Sequence, residues 1–136
     1  MPTKGNVKIL ALLIAFNDIA PANTAASIDG KLFGDGLPAD APRESVRNYY
    51  RRASFNQLEI GGNTLGWYTT AYPRSSVTQT RAGRETLIKE ALNSFNAAGH
   101  DFAQYDNDGD GAIDYFVVIW TGPDNGWATR LTSCCA

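Results

Sequence analysis

Histidine, cysteine and charged residues are all scarce in this chain of 136 residues. It contains one histidine, two cysteines and 19% charged residues. The single histidine, His100, rules out a His-Glu-x-x-His zinc helix, and neither a Gly-x-Ser-x-Gly elbow nor a phosphate-binding glycine loop is present. We therefore predict no catalytic residue and no cofactor-binding residue. Paired carboxylates among the 14 acidic residues are the one hydrolytic arrangement that the sequence leaves open.

Three further absences narrow the class of protein. No apolar run approaches the roughly 18 residues that a membrane helix needs, so we predict no membrane span. The 12 Lys and Arg are spread along the chain and the net charge is −2, which argues against nucleic acid as a partner. Cys134 and Cys135 are adjacent and cannot cross-link the fold. We interpret them as incidental tail residues, with metal or lipid attachment as alternatives.

The longest apolar run is Val7–Phe16, in which Lys8 is the one polar residue. Apolar side chains on both faces predict a central strand that is covered on two sides. Lys4 and Lys8, followed after the run by Ala20-Pro21-Ala22, are also typical of a signal peptide with a small-residue cleavage site. The sequence leaves both interpretations of residues 1–22 open.

A segment with loop composition, Asn17–Pro42, leads to the first predicted helix. Phe33 and Leu37 are expected to pack this segment against the rest of the domain. Asp40 can cap the helix, and Pro42 suits its first turn. The helix has one apolar stripe, with arginines mostly on the solvated face: Val46, Tyr49, Tyr50 and Ala53 form the stripe, and Arg47, Arg51 and Arg52 lie off it.

A β-hairpin or tight corner, a second helix and a last strand are predicted next. Leu58–Ile60 and Leu65–Thr69 are joined by the turn-like run Gly61-Gly62-Asn63-Thr64. The second helix, Ala82–Ala98, is ended by Gly99. The last strand, Tyr115–Thr121, is expected beside the first. This order indicates a single domain over 1–136 with an α+β (mixed α/β) fold: a twisted sheet with two main packed helices, and an irregular or truncated tail at 124–136.

An acidic loop before the last strand carries the clearest functional pattern. Its four carboxylates occupy positions 1, 3, 5 and 9 of a calcium-loop frame, a glycine at position 6 permits the sharp turn, and position 7 offers a backbone carbonyl. A hard cation would relieve carboxylate repulsion on the order of 1–4 kcal/mol per close pair. We predict a structural calcium site with these ligands: Asp106, Asp108, Asp110, Ala112 and Asp114.

This loop differs from an EF-hand, since position 12 is Val117 within a strand-like run and Ile113 is expected to anchor the loop in apolar packing. A remaining ligand would come from Asp101 or a distant backbone carbonyl. The alternative is a polar turn without metal. Asp18 and Asp29 are candidates for another cation site or simply solvate a loop.

Five segments together resemble the first part of the catalytic domain of immune inhibitor A-type secreted metallopeptidases. The resemblance covers residues 6–123, and the acidic loop and the Ser-Val-Arg-x-Tyr-Tyr helix carry most of it. The segments, in order, are Asn6–Asp18, Ser45–Leu58, Gly66–Thr69, Tyr105–Asp114 and Val117–Pro123.

The resemblance implies a zincin-like fold, secretion to the extracellular space, a structural calcium at the acidic loop, and zinc-dependent endopeptidase activity on protein or peptide substrates in the complete enzyme. In that family the zinc-binding helix follows the segment that matches Gly122-Pro123. No position of this chain matches it, so no zinc ligand or catalytic Glu is carried over. We expect a monomeric, N-terminal, peptidase-like subdomain over 6–123 that is inactive alone.

Two rival interpretations remain open. One is a stand-alone secreted calcium-dependent module that binds a protein or glycan through aromatic side chains. Those aromatics, which are more simply sheet-packing residues where they lie in predicted strands, are Trp67, Tyr68, Trp120 and Trp127. The other is a truncated or frame-shifted gene product without a selected function.

Overall fold

The computed structural model describes residues 3–35 and 44–123. These residues contain three strands and three α-helices in the order β1 (Gly5–Ala15), α1 (Ala25–Phe33), α2 (Val46–Ala53), β2 (Leu58–Thr69), α3 (Arg81–Ala97) and β3 (Phe116–Trp120), with short 3-10 turns at Arg74–Ser76 and Ala103–Tyr105. The fold is therefore mixed α/β, as predicted. None of the described helices is long and apolar enough to cross a membrane. The predicted tail at 124–136 lies outside the described residues.

The three strands form one parallel sheet in the order β2-β1-β3. Helical connections bring the chain back to the same edge before each new strand, which is what parallel pairing requires. The central position of β1 confirms the strand interpretation of Val7–Phe16, and its residues from Leu10 to Ala15 are at most 1% exposed. The expectation that the last strand lies beside the first is also confirmed.

Side chains of β1 alternate between two apolar clusters on opposite faces of the sheet. Leu10, Leu12 and Ile14, together with Phe16 directly after the strand, pack with Leu87 and Ala91 of α3. Val7, Ile9 and Ala11 pack with Phe33 of α1 and Ile60 of β2. Helices therefore cover both faces, which explains why the sequence of this strand is continuously apolar.

The predicted hairpin or corner at Gly61-Gly62-Asn63-Thr64 is wrong, because β2 runs through these residues as one strand paired in parallel with β1. Gly62 lies opposite Ile9, and the ring of Phe33 packs directly over it. A Cβ atom on Gly62 would lie 2.2 Å from the Ile9 carbonyl oxygen and 2.6 Å from a Phe33 ring carbon. This glycine serves close packing inside a strand rather than a turn.

The loop predicted over Asn17–Pro42 contains helix α1, so that part of the prediction is wrong. The side chain of Thr24 caps the helix by accepting a hydrogen bond from Ser27 N–H. Helix α1 buries Ile28 and Phe33, and the expected packing of Phe33 is confirmed. Its apolar residues are too few and too widely spaced to dominate a segment rich in Ala, Gly and Asp.

Helix α2 has its N-cap at Ser45, whose hydroxyl accepts a hydrogen bond from Asn48 N–H at 3.1 Å. The predicted cap Asp40, the predicted first-turn Pro42 and the predicted anchor Leu37 lie outside the described residues. Tyr49 and Tyr50 of the predicted apolar stripe are about half exposed. The stripe is therefore only partly buried.

Two of the three arginines predicted on a solvated face are instead bound to Glu59 of β2. Arg51 forms a bidentate pair with this carboxylate through two 2.7 Å hydrogen bonds, and Arg47 Nε donates to it at 2.5 Å. These contacts tie α2 to β2. Arg52 is the exposed member of the three and pairs with Glu44.

Acid should weaken the link between α2 and β2. Hydrogen bonds from Arg51 and then Arg47 lower the pKa of Glu59 from 4.5 to about 2. Since the folded pKa lies below the unfolded one, this group contributes stability above pH 4.5 that is lost as the pH falls towards 2. We expect Glu59→Gln to flatten the melting temperature against pH in this window, relative to the unmodified chain. Parallel curves for the two proteins would contradict the assignment.

Candidate metal-binding loop

Helix α3 delivers the chain to the acidic loop through a well-formed C-terminal cap. Gly99 has φ +86°, its N–H donates to the Asn96 carbonyl, and the His100 N–H donates to the Phe95 carbonyl. This is a Schellman arrangement, and it confirms the predicted helix end at Gly99. The observed helix, Arg81–Ala97, agrees with the predicted one within one residue at each end.

Tyr105 fixes the entry to the loop in the protein core. Its side chain is 0% exposed, and its hydroxyl lies 2.9 Å from His100 Nε2. Burial, with a smaller effect from Asp101, raises the pKa of Tyr105 to about 12. The backbone carbonyl of Tyr105 accepts a hydrogen bond from Asp114 N–H, so the two ends of the loop meet here.

Asn107 attaches the loop to the central strand. Its side-chain amide accepts a hydrogen bond from Lys8 N–H at 2.6 Å and donates one to the Lys8 carbonyl at 3.0 Å. The amide thereby takes the place of a neighbouring strand just before β3 begins to pair with β1 at Leu10. Sequence reasoning missed this residue, because no local pattern links positions that are 99 residues apart.

Asp106 organises the turn of the loop. Its two carboxylate oxygens accept backbone hydrogen bonds from Gly109, Asp110 and Gly111 at 2.7, 3.1 and 2.9 Å. These hydrogen bonds lower the pKa of Asp106, and the bond from Gly111 has the largest effect. The carboxylate is therefore held in its charged form, which is the form that binds a cation.

Three carboxylates of the loop converge. Asp106, Asp108 and Asp114 each present an oxygen, and the three oxygens lie within 4.8 Å of one another. No other group of three or more His, Cys, Asp or Glu side chains in residues 3–35 and 44–123 converges in this way. Oxygen donors with this charge suit a hard divalent cation.

The other predicted ligands have different surroundings. An Asp110 carboxylate oxygen accepts a hydrogen bond from Ala112 N–H at 2.9 Å, and Asp110 is not part of the convergent group. Asp101 accepts from Ala103 N–H, and Asp18 from Arg74 N–H. Asp101, Asp18 and Asp29 all lie outside the group. Ile113 packs against the core cluster, as predicted.

The aromatic residues considered for a sugar-binding face are tied into the fold. Trp67 Nε1 donates to the Asn23 carbonyl at 3.0 Å, and the Tyr68 hydroxyl donates to Glu90. Trp120 packs against the core cluster, and Trp127 lies outside the described residues. The exposed large hydrophobic residues of the described chain are Tyr49, Tyr50, Phe55 and Phe116 instead.

The loop, the parallel sheet and its two helical layers define a mixed α/β domain with a candidate cation site at the edge where β1 and β3 begin to pair. No family model matches the chain, and the search of curated proteins finds no match either.

The described residues do not fit a zinc site. The one histidine, His100, is hydrogen-bonded to the buried Tyr105 hydroxyl, and it does not belong to a convergent group of ligands.

Proposed function

We propose that the loop Asp106–Asp114 binds calcium and that the ion stabilises the connection between α3 and β3. The observation that carries the proposal is the convergence of Asp106, Asp108 and Asp114 within 4.8 Å. The loop has fixed anchors at Tyr105 and Asn107, so the carboxylates are held close before any ion arrives. Calcium removes their repulsion and takes the remaining ligands from backbone carbonyls or water.

In the wider proposal the chain is the N-terminal subdomain of a secreted, immune inhibitor A-like metallopeptidase with a zincin-like fold. The support is the ordered resemblance over residues 6–123 together with the acidic loop. This part of the chain supplies scaffold: a covered sheet and a calcium-stabilised loop. Zinc, the catalytic glutamate and the contacts to a protein or peptide substrate belong to the rest of such an enzyme. An extracellular setting, where calcium is abundant, suits a loop of this kind.

A second candidate function is a stand-alone calcium-dependent module that binds a protein or glycan. Exposed aromatic residues at the end of α2 favour it, since Phe55 is 86% exposed and has a φ of 54°, which is unusual for a bulky residue. Calcium-dependent retention on a protein or glycan array that is lost in Phe55→Ser would favour the module over the scaffold.

The calcium proposal predicts a specific rise in melting temperature. A ligand that binds only the folded state adds about 2.7 kcal/mol at a hundredfold excess over its dissociation constant. For a domain of this size that is several degrees. We expect the rise in millimolar calcium, a smaller effect or none in magnesium, and reversal by excess chelator.

Two variants make the test specific to the loop. Asp108→Ala removes one member of the convergent group and should abolish the response to calcium. Asp29→Asn removes the same charge from helix α1, outside the group, and should leave the response intact. An unchanged calcium response in Asp108→Ala, or a cooperative melt indifferent to calcium in the unmodified chain, would show that the loop is a polar turn.

A further inference from the structure

Glu90 of helix α3 has an unusual environment for a carboxylate. Its Oε1 accepts a hydrogen bond from the Tyr68 hydroxyl, and its Oε2 accepts one at 2.5 Å from the Tyr72 hydroxyl. Burial and then the contact with Glu90 raise the pKa of both phenols, that of Tyr68 to about 12. Both phenols therefore stay protonated at neutral pH and act as donors. The carboxylate is held between β2 and the segment that follows it.

Within residues 3–35 and 44–123, no positive side chain forms an ion pair with this carboxylate. The ion pairs of the described residues use Asp35, Glu44, Glu59 and Glu85, but not Glu90. Glu90 is only partly exposed, so water screens its charge incompletely. A carboxylate can accept about four hydrogen bonds, and the two tyrosines use two of them. The Glu90 carboxylate can therefore accept further hydrogen bonds, and its negative charge is not neutralised by a described side chain.

Glu90 lines an open cavity of about 480 Å³. The cavity lies between the first half of α3 and the segment that leads into it. Val77 and Leu87 give it apolar walls, and Thr78 and Thr86 add hydroxyl groups. Its volume is in the range of small-ligand sites. The combination is a pocket with partly apolar walls, several hydroxyl groups and one carboxylate at its lining.

We propose that this pocket, here called the Glu90 pocket, binds an alkylammonium or alkylguanidinium group. The cation would pair with Glu90, and its alkyl stem would lie against Val77 and Leu87. An anion is disfavoured by the carboxylate. A divalent metal is disfavoured because the two neighbouring oxygens are protonated phenols, whose hydrogens already point to Glu90. The same cation can come from a free small amine or from a Lys or Arg side chain of a bound peptide.

The inference does not depend on calcium binding, because the Glu90 pocket and the acidic loop share no residue. A purely structural role for Glu90, as a clasp between α3 and β2, makes a different prediction. If Glu90 only links α3 to β2, added organic cations should not bind near it. If the Glu90 pocket is a binding site, these cations should bind there saturably.

The test is an amide NMR titration of the intact chain with n-butylammonium and ethylguanidinium at constant ionic strength, with n-butanol as the neutral probe. We expect saturable shifts at Val77, Thr78, Thr86 and Leu87 with both cations, and weaker effects with butanol. Glu90→Gln should weaken cation binding about tenfold or more, since a hydrogen bond to a charged group contributes roughly 1.5–3 kcal/mol. Glu85→Gln removes an exposed carboxylate from the same helix and should have no effect.

A second variant keeps the test decisive if Glu90→Gln unfolds. Thr86→Lys places an ammonium group one helical turn from Glu90, and we expect it to raise the melting temperature and to abolish butylammonium binding. Lysine and arginine with blocked backbone groups separate the two sources of the cation. If they bind at least as tightly as the simple cations, the ligand is a peptide side chain. If the pocket excludes them, the ligand is a free small cation. No saturable shifts with the cations, shifts with butanol as strong as those with the cations, or equal cation affinity in Glu90→Gln, would overturn the proposal.

Discussion

Replacing Tyr105 by alanine is expected to lower the free energy of unfolding by about 3–5 kcal/mol, the usual cost of removing a large aromatic side chain from a core. Tyr105 is fully buried among residues of β1 and α3, and its hydroxyl is bonded to His100. Truncation leaves a cavity and an unpaired imidazole nitrogen. Equilibrium denaturation by urea, with the midpoint and slope compared between variants, measures the loss.

The matched control for this substitution is Tyr49→Ala on helix α2. Tyr49 is 51% exposed, so the same change in side chain should cost about 1 kcal/mol or less. Because the buried side chain of Tyr105 anchors the entry of the acidic loop in the core, Tyr105→Ala should also reduce the stabilisation by calcium. Equal losses of stability in the two variants would show that Tyr105 does not belong to the core.

Gly62→Ala is expected to destabilise the fold by about 3 kcal/mol, at the upper end of the usual cost of overpacking. The new methyl group would meet the backbone oxygen of Ile9 at 2.2 Å, and β1 cannot move away without breaking its pairing with β2 or β3. The Phe33 ring at 2.6 Å closes the other side. Thermal melts should show a melting temperature that is lower by roughly 10 °C for a domain of this size.

Gly61→Ala is the control, because it changes the neighbouring residue of the same strand. A Cβ atom on Gly61 would have nothing within 4 Å, so alanine should be tolerated or slightly stabilising. Equal losses of stability in Gly62→Ala and Gly61→Ala would contradict the packing of Phe33 on Gly62. That result would favour a turn at these residues. A large difference would confirm that Gly61-Gly62 lies within a strand.

Elements with strong local patterns were predicted from the sequence. The continuous apolar run at Val7–Phe16 marks a buried strand, because only a strand covered on both faces hides every side chain. The run at Tyr115–Thr121 also forms a strand, but it lies at the edge of the described sheet and is only partly buried. Helix α3 has both an apolar stripe and a terminating glycine, and its ends were predicted within one residue. Each of these signals is local in the chain.

Predictions failed where a local pattern had two physical explanations. A Gly-Gly-Asn-Thr run suits a turn, and it also suits a strand on which an aromatic ring packs closely. The arginines of α2 suit a solvated face until β2 brings Glu59 beside them. In each case a residue distant in sequence determines which of the two explanations holds.

For the acidic loop, the spacing of carboxylates predicted which residues to consider, and the tertiary structure decided which of them meet. Asp106, Asp108 and Asp114 converge, whereas Asp110 accepts a hydrogen bond from Ala112 N–H and lies outside the convergent group. The attachment of the loop through Asn107 to Lys8 was not predictable, because it depends on where β3 joins β1.

The sequence by itself determined the strands β1 and β3, helix α3 and the chemical character of the acidic loop, since periodicity, capping residues and carboxylate spacing act over a few neighbouring positions. Only the tertiary structure decided the parallel order β2-β1-β3, the packing of Phe33 on Gly62 and the pocket at Glu90. These features depend on which side chains meet after the helices have folded back onto the sheet. That outcome is set by the packing of the whole core rather than by any one segment.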